Sequence, residues 1–430
     1  MLSEQLAPWL KARGIHYGWI VAATTFLTML ATAGAMGSAG VLIGPLETEF
    51  GWSTSEISGA MAVRLVLFGL FGPFAAAFMN QFGIRNVVAT ALLRIAGGVL
   101  GSFVMGEVWQ LVLLWGVVIG VGTGMTAMVL GATVASRWFV KQRGLVVGLM
   151  TASNATGQLV FLPLLASLAE QFGWRTAMGF VVVIIGVAMS LVLLLMRDHP
   201  ADLGLAPYGG AAIAPVPIKS KTLGALLLSP LLALKEASRS HAFWVLFATF
   251  FICGFSTNGL IQTHWISICG DVGIAAVGAA GILALIGIFD MAGTIGSGWL
   301  SDRFDSRWLL FWFYGLRGLS LIYLPFSGFS APAIAAFAVF YGLDWVATVP
   351  PTVKFAAEQF GAEKAGLMFA WVFTGHQLGA AAAAFSAGAT RTEFGTYTPA
   401  ILMSGFACLI AAGLVLTMTR ANRTPVAVAA

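Results

Sequence analysis

Long apolar runs separated by short polar segments fill most of the chain. Twelve of these runs reach the roughly 20 residues that a helix needs to cross the hydrocarbon core of a bilayer. The pattern predicts an all-α membrane protein with a six-helix bundle in residues 1–196, a linker in 197–241 and a second six-helix bundle in 242–430. The predicted spans, numbered 1 to 12 in chain order, are 17–43, 57–79, 86–105, 109–134, 145–168, 176–196, 242–266, 274–299, 308–326, 332–354, 366–388 and 398–419.

The cations predict the orientation of these spans, because lysine and arginine resist translocation and collect in cytoplasmic loops. With both termini in the cytoplasm, 17 of the 22 lysines and arginines lie in the inner tails, loops and linker, and only Arg175 and Arg391 lie in outer loops. The other three, Arg64, Arg94 and Arg317, lie inside spans. We therefore expect a multi-pass protein of the inner membrane with both termini cytoplasmic, and the start of the chain as a cytoplasmic tail rather than a signal peptide.

Composition excludes several other classes. Hydrophobic residues make up 59% of the chain and charged residues 9%, whereas a soluble protein carries about a quarter charged residues. The cations behind the net charge of +5 are too sparse and scattered to form a nucleic-acid-binding stripe. The sequence has neither a phosphate-binding Gly-Lys-Ser/Thr loop nor metal-ligand spacing, so we expect no enzyme, no cofactor and no metal. The cysteines, Cys253, Cys269 and Cys408, are expected to be small packing residues.

The linker divides into two parts. Residues 201–217 are rich in glycine and proline, which predicts a flexible connection. Residues 223–238 predict either a short amphipathic helix on the inner membrane face or an ordinary tether.

A short polar segment occurs twice, at an offset of 222 residues. Residues 76–85 follow span 2 and residues 298–307 follow span 8, so a whole six-span half is duplicated. Both segments resemble the loop signature of the major facilitator superfamily. The resemblance implies two bundles related by a pseudo-two-fold axis, with spans 1, 4, 7 and 10 around a central cavity. It also implies that the acid of the signature caps the next helix and that an inner gate comprises Asn80, Arg85, Asp302, Arg303 and Arg307.

Further segments narrow the resemblance. Residues 137–148 after span 4 and 172–175 after span 5 look like the bacterial monocarboxylate and oxalate/formate branch. The segment around Asp290 resembles the acidic segment of monocarboxylate transporters, in which an arginine one turn later takes the substrate carboxylate. Here Thr294 stands at that place, so the cation would come from Arg64, Arg317 or protonated His376.

Charged groups near the bilayer centre each cost about 2.5–3.5 kcal/mol on insertion scales, so each one needs a reason. We expect Arg94 and Arg317 to be structural, with Arg317 within reach of Asp344 on span 10. Arg64 on span 2 has two interpretations, contact with an anionic substrate or a bond to a carbonyl of span 11. Asp290 and His376 are expected to carry protons, and the alternative for His376 is hydrogen-bonded packing.

Uncharged polar residues form faces at helical spacing on spans 5, 7 and 10. Hydrogen bonding between helices is the alternative for any one face. Pro350 and Pro351 predict a kink or gate at the inner end of span 10. The predicted substrate site comprises Arg64, Asn154, Gln158, Asn258, Gln262, Tyr341 and His376.

The function expected from these observations is a monomeric secondary transporter that moves a small organic anion, with a monocarboxylate favoured, by alternating access coupled to protons. Its partners are then the anion, protons and the lipid bilayer, and no nucleic acid. The alternative within transport is an exporter of amphipathic compounds, which fits the 32 Phe, 14 Trp and 16 Met. Against it, Gln158 follows Gly157 on span 5, where a Gly-Pro pair would resemble the signature of exporters. A receptor with a transporter fold is the alternative from another class.

Overall fold

The computed structural model describes residues 2–126, 128–213 and 222–419, and these residues are helical apart from turns, short loops and one isolated bridge. Ten helices in this part of the chain are long and apolar enough to cross a membrane. Predicted spans 5 and 11 lie in two further helices of 30 and 33 residues, which include positions whose side chains are outside the description. The helical segments that correspond to the twelve predicted spans are Gly18–Phe50, Thr54–Phe82, Ile84–Ser102, Val108–Trp138, Arg143–Phe172, Trp174–Leu195, His241–Asp271, Ala276–Arg303, Ser306–Phe326, Ala331–Phe360, Ala362–Phe394 and Thr398–Val415. The helices of spans 3 and 12 end before the predicted limits of 105 and 419.

We call the face that carries the two repeated segments and the linker the inner face, and the opposite face the outer face. Residues 2–196 and 242–419 are the first and second halves.

Polar residues and glycines set the ends of the helices. Ser53 caps the helix Thr54–Phe82, and Glu56 completes a capping box with it. Gly83, Gly173 and Gly361 end the helices of spans 2, 5 and 10 with φ angles of 85°, 84° and 83°. Side chains disfavour this backbone conformation, so glycine allows the next helix to begin at once.

Spans 2 and 11 pack against each other along their length and join the two halves. Near the outer end Gly388 lies against Ser58, and near the middle Gly69 lies against Gln377. The Thr374 hydroxyl donates to the Gly69 carbonyl at 3.0 Å. Small residues let the two backbones approach closely, as is typical of membrane helices. Spans 5 and 8 form a second junction between the halves.

The first part of the linker is held to the inner face. The backbone N–H of Tyr208 donates to the Trp138 carbonyl at 2.8 Å, and its carbonyl accepts from Val140 at 3.0 Å. The Tyr208 ring packs against Trp19 and Phe139 at centroid distances of 5.8 and 5.9 Å. The linker here is fixed to the inner ends of spans 1 and 4, so the prediction of a flexible connection is wrong for this stretch; residues 214–221 lie outside the description.

The second part of the linker contains the helix Leu223–Ala237, so of the two alternatives the helix is present. Its contact with the membrane face stays a prediction. This helix lies across the inner ends of spans 2 and 11. The Trp371 indole N–H donates to the Pro230 carbonyl at 2.9 Å. The linker helix therefore contacts the place where the two halves meet.

Candidate functional site

A small cavity lies between spans 1, 2 and 7 at the middle of the membrane. Its volume is about 10 Å³, which is about the space that one water molecule needs. Its polar lining comes from Arg64 on span 2 and from Asn258, Gln262 and Thr263 on span 7. The structure thus brings together three of the seven residues predicted for the substrate site.

Arg64 is 2% exposed and is bound by carbonyl oxygens. Its Nη1 donates to the Ala35 carbonyl at 3.4 Å and its Nη2 to the Met36 carbonyl at 3.2 Å. Both acceptors lie on span 1, so the predicted carbonyl on span 11 is wrong. In the described residues Arg64 has no carboxylate partner, and its buried Nε has no hydrogen-bond partner. Arg64 is therefore a buried cation without a counter-ion, at the edge of a cavity.

A π-helical segment, Phe255–Gln262, places the two amides of span 7 at this cavity. π-helical turns are rare and often occur at functional sites. Asn258 and Gln262 are half-buried, and neither side-chain amide has a hydrogen bond within the described part of the chain. Their donors and acceptors are available to a molecule in the cavity.

A larger cavity of about 330 Å³ opens at the outer ends of spans 1, 5, 7 and 11. Its lining includes Glu47, Asp271 and Arg391, and Arg391 pairs with Asp271 at 2.8 Å. Spans 1 and 7 close the route from this cavity to Arg64, because a Cβ at Gly40 would lie only 3.0 Å from the Gln262 carbonyl oxygen.

Span 10 is interrupted, as its two prolines predict. Its helix ends at Asp344 and resumes at Val349, with Pro350 and Pro351 in the first turn of the new segment. The break leaves backbone groups without helical partners. Side chains from the two neighbouring spans satisfy several of them.

Arg317 on span 9 binds the carbonyl side of the break. Its Nη2 donates to the carbonyls of Asp344 at 2.5 Å and Trp345 at 3.1 Å. Its Nε donates to the Asp344 carboxylate at 2.6 Å, which confirms the predicted pair. Its Nη1 donates to the Cys253 sulfur on span 7 at 3.0 Å. Arg317 is 0% exposed, so it fastens span 10 and is closed to a ligand.

Asp290 on span 8 binds the N–H side of the break. One oxygen of its carboxylate accepts from the Val346 backbone N–H at 2.9 Å and from the Thr294 hydroxyl at 3.1 Å. Thr294 therefore holds Asp290, where the resemblance to monocarboxylate transporters led us to look for an arginine. Asp290 is half-buried, in contrast to Asp344.

Two residues predicted for the site lie in contacts between helices, and the buried Nδ1 of one of them, His376, has no hydrogen-bond partner in the described residues. The Tyr341 hydroxyl donates to the Ser256 carbonyl at 2.5 Å and is buried. His376 is 8% exposed and lies between the rings of Phe250 and Phe373, at centroid distances of 5.7 and 5.4 Å. Neither residue lines the cavity at Arg64, because their own spans turn them into contacts between helices.

Asn154 and Gln158 belong to the helix Arg143–Phe172. Their side chains, and that of Thr151, lie outside the described residues. Their predicted role on span 5 stays a prediction.

The hinge between spans 2 and 3 is tied to its own half. The Asn80 side chain accepts from Arg137 at 2.5 Å and does not cap span 3, because the helix of span 2 continues to Phe82. The carboxylate of Asp198, which follows span 6, accepts from the Arg85 backbone N–H at 2.9 Å. The Arg85 side chain donates to the Leu193 carbonyl at 2.5 Å.

His199 lies beside the same hinge. Burial lowers the pKa of His199, and the guanidinium of Arg137 lowers it further. The neutral ring accepts from Arg137 Nη1 at 3.4 Å.

The hinge between spans 8 and 9 has the same plan with a different carboxylate. Asp302 is exposed in the last turn of its helix, so the expectation that it caps span 9 is wrong. Asp305 is the cap, and it accepts from the Arg307 backbone N–H at 3.0 Å. The Arg307 side chain pairs with Asp305 at 2.8 Å and donates to the Met418 carbonyl at 2.8 Å. Arg303 is exposed and donates to a carbonyl of its own helix. These bonds stay within each half and do not bridge the two.

Sequence reasoning missed two buried polar residues. Cys253 is buried, as expected of a small packing residue, but it also accepts from Arg317. His264 is 0% exposed and bridges the Tyr397 hydroxyl at 3.2 Å and the Ala384 carbonyl at 2.8 Å. A histidine inside an apolar run was the available signal for the second.

The comparisons with known proteins agree with this architecture. The profile of the Major Facilitator Superfamily matches residues 24–384. An uncharacterised MFS-type transporter, YcxA, of Bacillus subtilis (strain 168) is 23% identical over 401 residues, which cover 92% of this chain and 93% of YcxA. Monocarboxylate transporter 13 of Bos taurus is 24% identical and covers 94% of this chain and 89% of its own. Monocarboxylate transporter 11 of Homo sapiens is 26% identical, with coverages of 94% and 83%.

Solved structures show the same fold at low identity. The crystal structure of a D-xylose-proton symporter superposes with a TM-score of 0.71 at 14% identity, over 95% of this chain and 99% of the symporter. A peptide transporter of the POT type in complex with alafosfalin gives a TM-score of 0.72 at 15% identity, over 92% and 93% of the two chains. With a family match across most of its length and the same arrangement of membrane helices, the chain belongs to the major facilitator superfamily of membrane transporters and is not an enzyme.

Proposed function

We propose that the chain transports a small organic anion, with a monocarboxylate favoured, and that Arg64 is the group that binds it. The observation that carries the proposal is that Arg64 is buried, has only carbonyl partners and borders a cavity with two unbonded amides. A carboxylate is a stronger partner for a desolvated guanidinium than two carbonyls, because both members of the hydrogen bonds are then charged. The anion would replace the Ala35 and Met36 carbonyls.

The amides of Asn258 and Gln262 supply the second side of the site. A carboxylate has two oxygens, and each can accept more than one hydrogen bond. With Arg64 on span 2 and the amides on span 7, the anion contacts both halves of the molecule. Binding would therefore favour a closed arrangement of the two halves, which is the requirement for a site that alternates between the two faces.

The cavity must change shape before it can bind a substrate. At about 10 Å³ it holds no organic molecule as it stands, so the site must widen for binding. A short monocarboxylate requires less widening than a sugar or an amphipathic drug. The two relatives named as monocarboxylate transporters support the same substrate class at 24% and 26% identity.

We propose that Asp290 carries the coupled proton. Its carboxylate accepts from the Val346 N–H in the break of span 10, and protonation removes the charge that strengthens this bond. Loading or losing the proton would then change how firmly span 8 holds span 10. His376, which is enclosed by two aromatic rings, is left out of the coupling route.

The cations support the orientation that the proposal needs. With the inner face in the cytoplasm, the positively charged loops stay on the side of synthesis. The two bundles, 1–196 and 242–430, are then the units that rock against each other in the inner membrane, with protons driving the solute from the outer face.

The test is uptake of radiolabelled lactate into proteoliposomes that hold the purified chain. We expect saturable uptake that increases when the outside is made acidic and collapses with a protonophore. Arg64→Gln should raise the KM at least about tenfold, the equivalent of losing one charged hydrogen bond. The matched control is Arg175→Gln, which removes an arginine from the outer end of span 6, where it pairs with Glu49 at 2.6 Å, and should leave the KM unchanged.

Asp290→Asn separates binding from coupling. Its amide oxygen can still accept from Val346, so exchange of lactate between the two sides should persist while accumulation against a gradient is lost. Uptake of lactate that ignores pH and the protonophore would contradict the coupling. Transport of a sugar or an amine but of no carboxylate would contradict the substrate class.

A further inference from the structure

Arg94 lies on the side of the bundle that faces the lipid, at the middle of the membrane. The helix of span 3 runs from Ile84 to Ser102, so Arg94 is about 15 Å from its inner end at 1.5 Å per residue. The side chain is exposed, and Leu93 and Leu100 beside it are 60% and 50% exposed. The prediction that Arg94 is structural, with carbonyl or ion-pair partners in its own bundle, is wrong, because this side of span 3 faces away from spans 4 and 6.

A polar stripe connects Arg94 with the inner face. Asn86, Thr90 and Arg94 follow each other at intervals of four residues and are all exposed. Residues four apart lie on one face of a helix, one above the other. The side chains of a helix lean toward its N-terminus, which for span 3 is the inner end, so Arg94 points down the stripe.

Arg94 has no hydrogen bond or ion pair within the described residues. An arginine that faces lipid at this depth is costly, and such residues are normally paired or reach the interface. The partner of the guanidinium therefore lies outside the described residues.

We infer that the stripe binds the phosphate headgroup of an anionic phospholipid from the inner leaflet. The headgroup of the lipid would lie along Asn86 and Thr90, with its phosphate in contact with Arg94. Arginine binds phosphate through two parallel hydrogen bonds, and the two shorter side chains offer further donors on the way. Leu93 and Leu100 flank the stripe with apolar surface for the acyl chains.

A second copy of the chain is a poorer partner for this surface. The acids that lie at mid-depth in the predicted spans are Asp290 and Asp344. Asp344 pairs with Arg317 inside the bundle, and Asp290 binds span 10. Another copy would therefore bring no carboxylate to its own surface at the depth of Arg94.

The experiment is native mass spectrometry of the full chain after delipidation and incubation with vesicles of equal parts phosphatidylcholine and phosphatidylglycerol. Wild-type protein should retain phosphatidylglycerol in preference to phosphatidylcholine. Arg94→Leu should reduce the retained phosphatidylglycerol about fivefold, the effect of losing one cation at a lipid headgroup. Arg94→Lys should keep most of it, and Thr90→Val should reduce it by a smaller factor.

Arg13→Leu is the matched control. Arg13 is also an exposed cation, on the inner tail beside Trp9, so its loss changes the net charge equally without touching the stripe. Equal retention by wild type, Arg94→Leu and Arg13→Leu would overturn the inference, as would equal retention of phosphatidylcholine and phosphatidylglycerol by the wild type. If the native mass is that of a dimer for the wild type and that of a monomer for Arg94→Leu, the surface binds a second copy of the chain instead. Circular dichroism identifies a variant that does not fold, and Arg94→Gln then replaces Arg94→Leu.

Discussion

In the described part of the chain two arginines, Arg64 and Arg317, are buried in the membrane, and they have opposite surroundings. Arg317 in the second half is enclosed, pairs with Asp344 and donates to two carbonyls and a thiol. Arg64 in the first half donates to two carbonyls, keeps one N–H unbonded and borders a cavity. Burial alone therefore does not separate Arg317, which is structural, from Arg64, which we propose binds the anion. We base the distinction on the counter-ion of Arg317 and on the open space beside Arg64.

The largest expected effect comes from Arg317→Leu. It leaves the Asp344 carboxylate buried without a partner, and breaking a buried pair in this way costs about 3–5 kcal/mol. We expect little folded protein, measured as the melting temperature and the monodisperse fraction in detergent. Arg317→Leu combined with Asp344→Leu should recover part of the loss. Arg317→Leu as stable as wild type would remove the contrast between the two arginines.

Asp344→Asn gives Arg317 the kind of environment that Arg64 has. The guanidinium keeps its carbonyl partners but loses its counter-ion, and we expect a loss of about 1–3 kcal/mol in the free energy of unfolding. Denaturant titration of the purified variant measures it. A loss as large as that of Arg317→Leu would mean that carbonyls cannot hold a buried arginine in this protein.

Arg64→Leu should change the free energy of unfolding by no more than about 1 kcal/mol. Removing a buried charge recovers its desolvation cost. The Ala35 and Met36 carbonyls lie within the helix of span 1, so they keep their backbone partners when the arginine is lost. The same variant should have no lactate uptake. A destabilisation that matches Arg317→Leu in the same titration would make Arg64 structural.

Arg64→Lys is expected to have the smallest effect on stability, below about 0.5 kcal/mol, because the positive charge stays. A lysine cannot present the planar fork of a guanidinium, so the KM for lactate should rise about tenfold while uptake continues. Equal KM values for Arg64→Lys and wild type would show that charge alone, without paired hydrogen bonds, serves the substrate.

The sequence predicted the elements of the fold because hydropathy and proline act locally. Each predicted span overlaps a helical segment, and the break in span 10 directly precedes Pro350 and Pro351. The Arg317–Asp344 pair was predictable for a similar reason, since spans 9 and 10 adjoin in sequence. These features depend on short segments or on neighbours along the chain.

The site was harder to predict, because it depends on how each helix is rotated about its own axis. Arg64 binds span 1 instead of span 11, and His376 points into an aromatic contact instead of the cavity. Arg94 faces outward for the same reason. A polar residue in an apolar run indicates that it has a partner, but the run does not state on which side the partner lies.

The two hinges have one further consequence, which follows from Gly83. A Cβ at Gly83 would overlap the Asp198 carboxylate. The missing side chain therefore leaves room for Asp198, which binds Arg85 from 113 residues further along the chain. The second hinge carries its own acid, Asp305, two residues before Arg307. During synthesis the Asp305 cap of the second hinge can form as soon as its own loop leaves the ribosome, and only the bond from Arg307 to Met418 waits for span 12. The bond from Arg85 to Asp198 in the first hinge must wait until span 6 has entered the membrane.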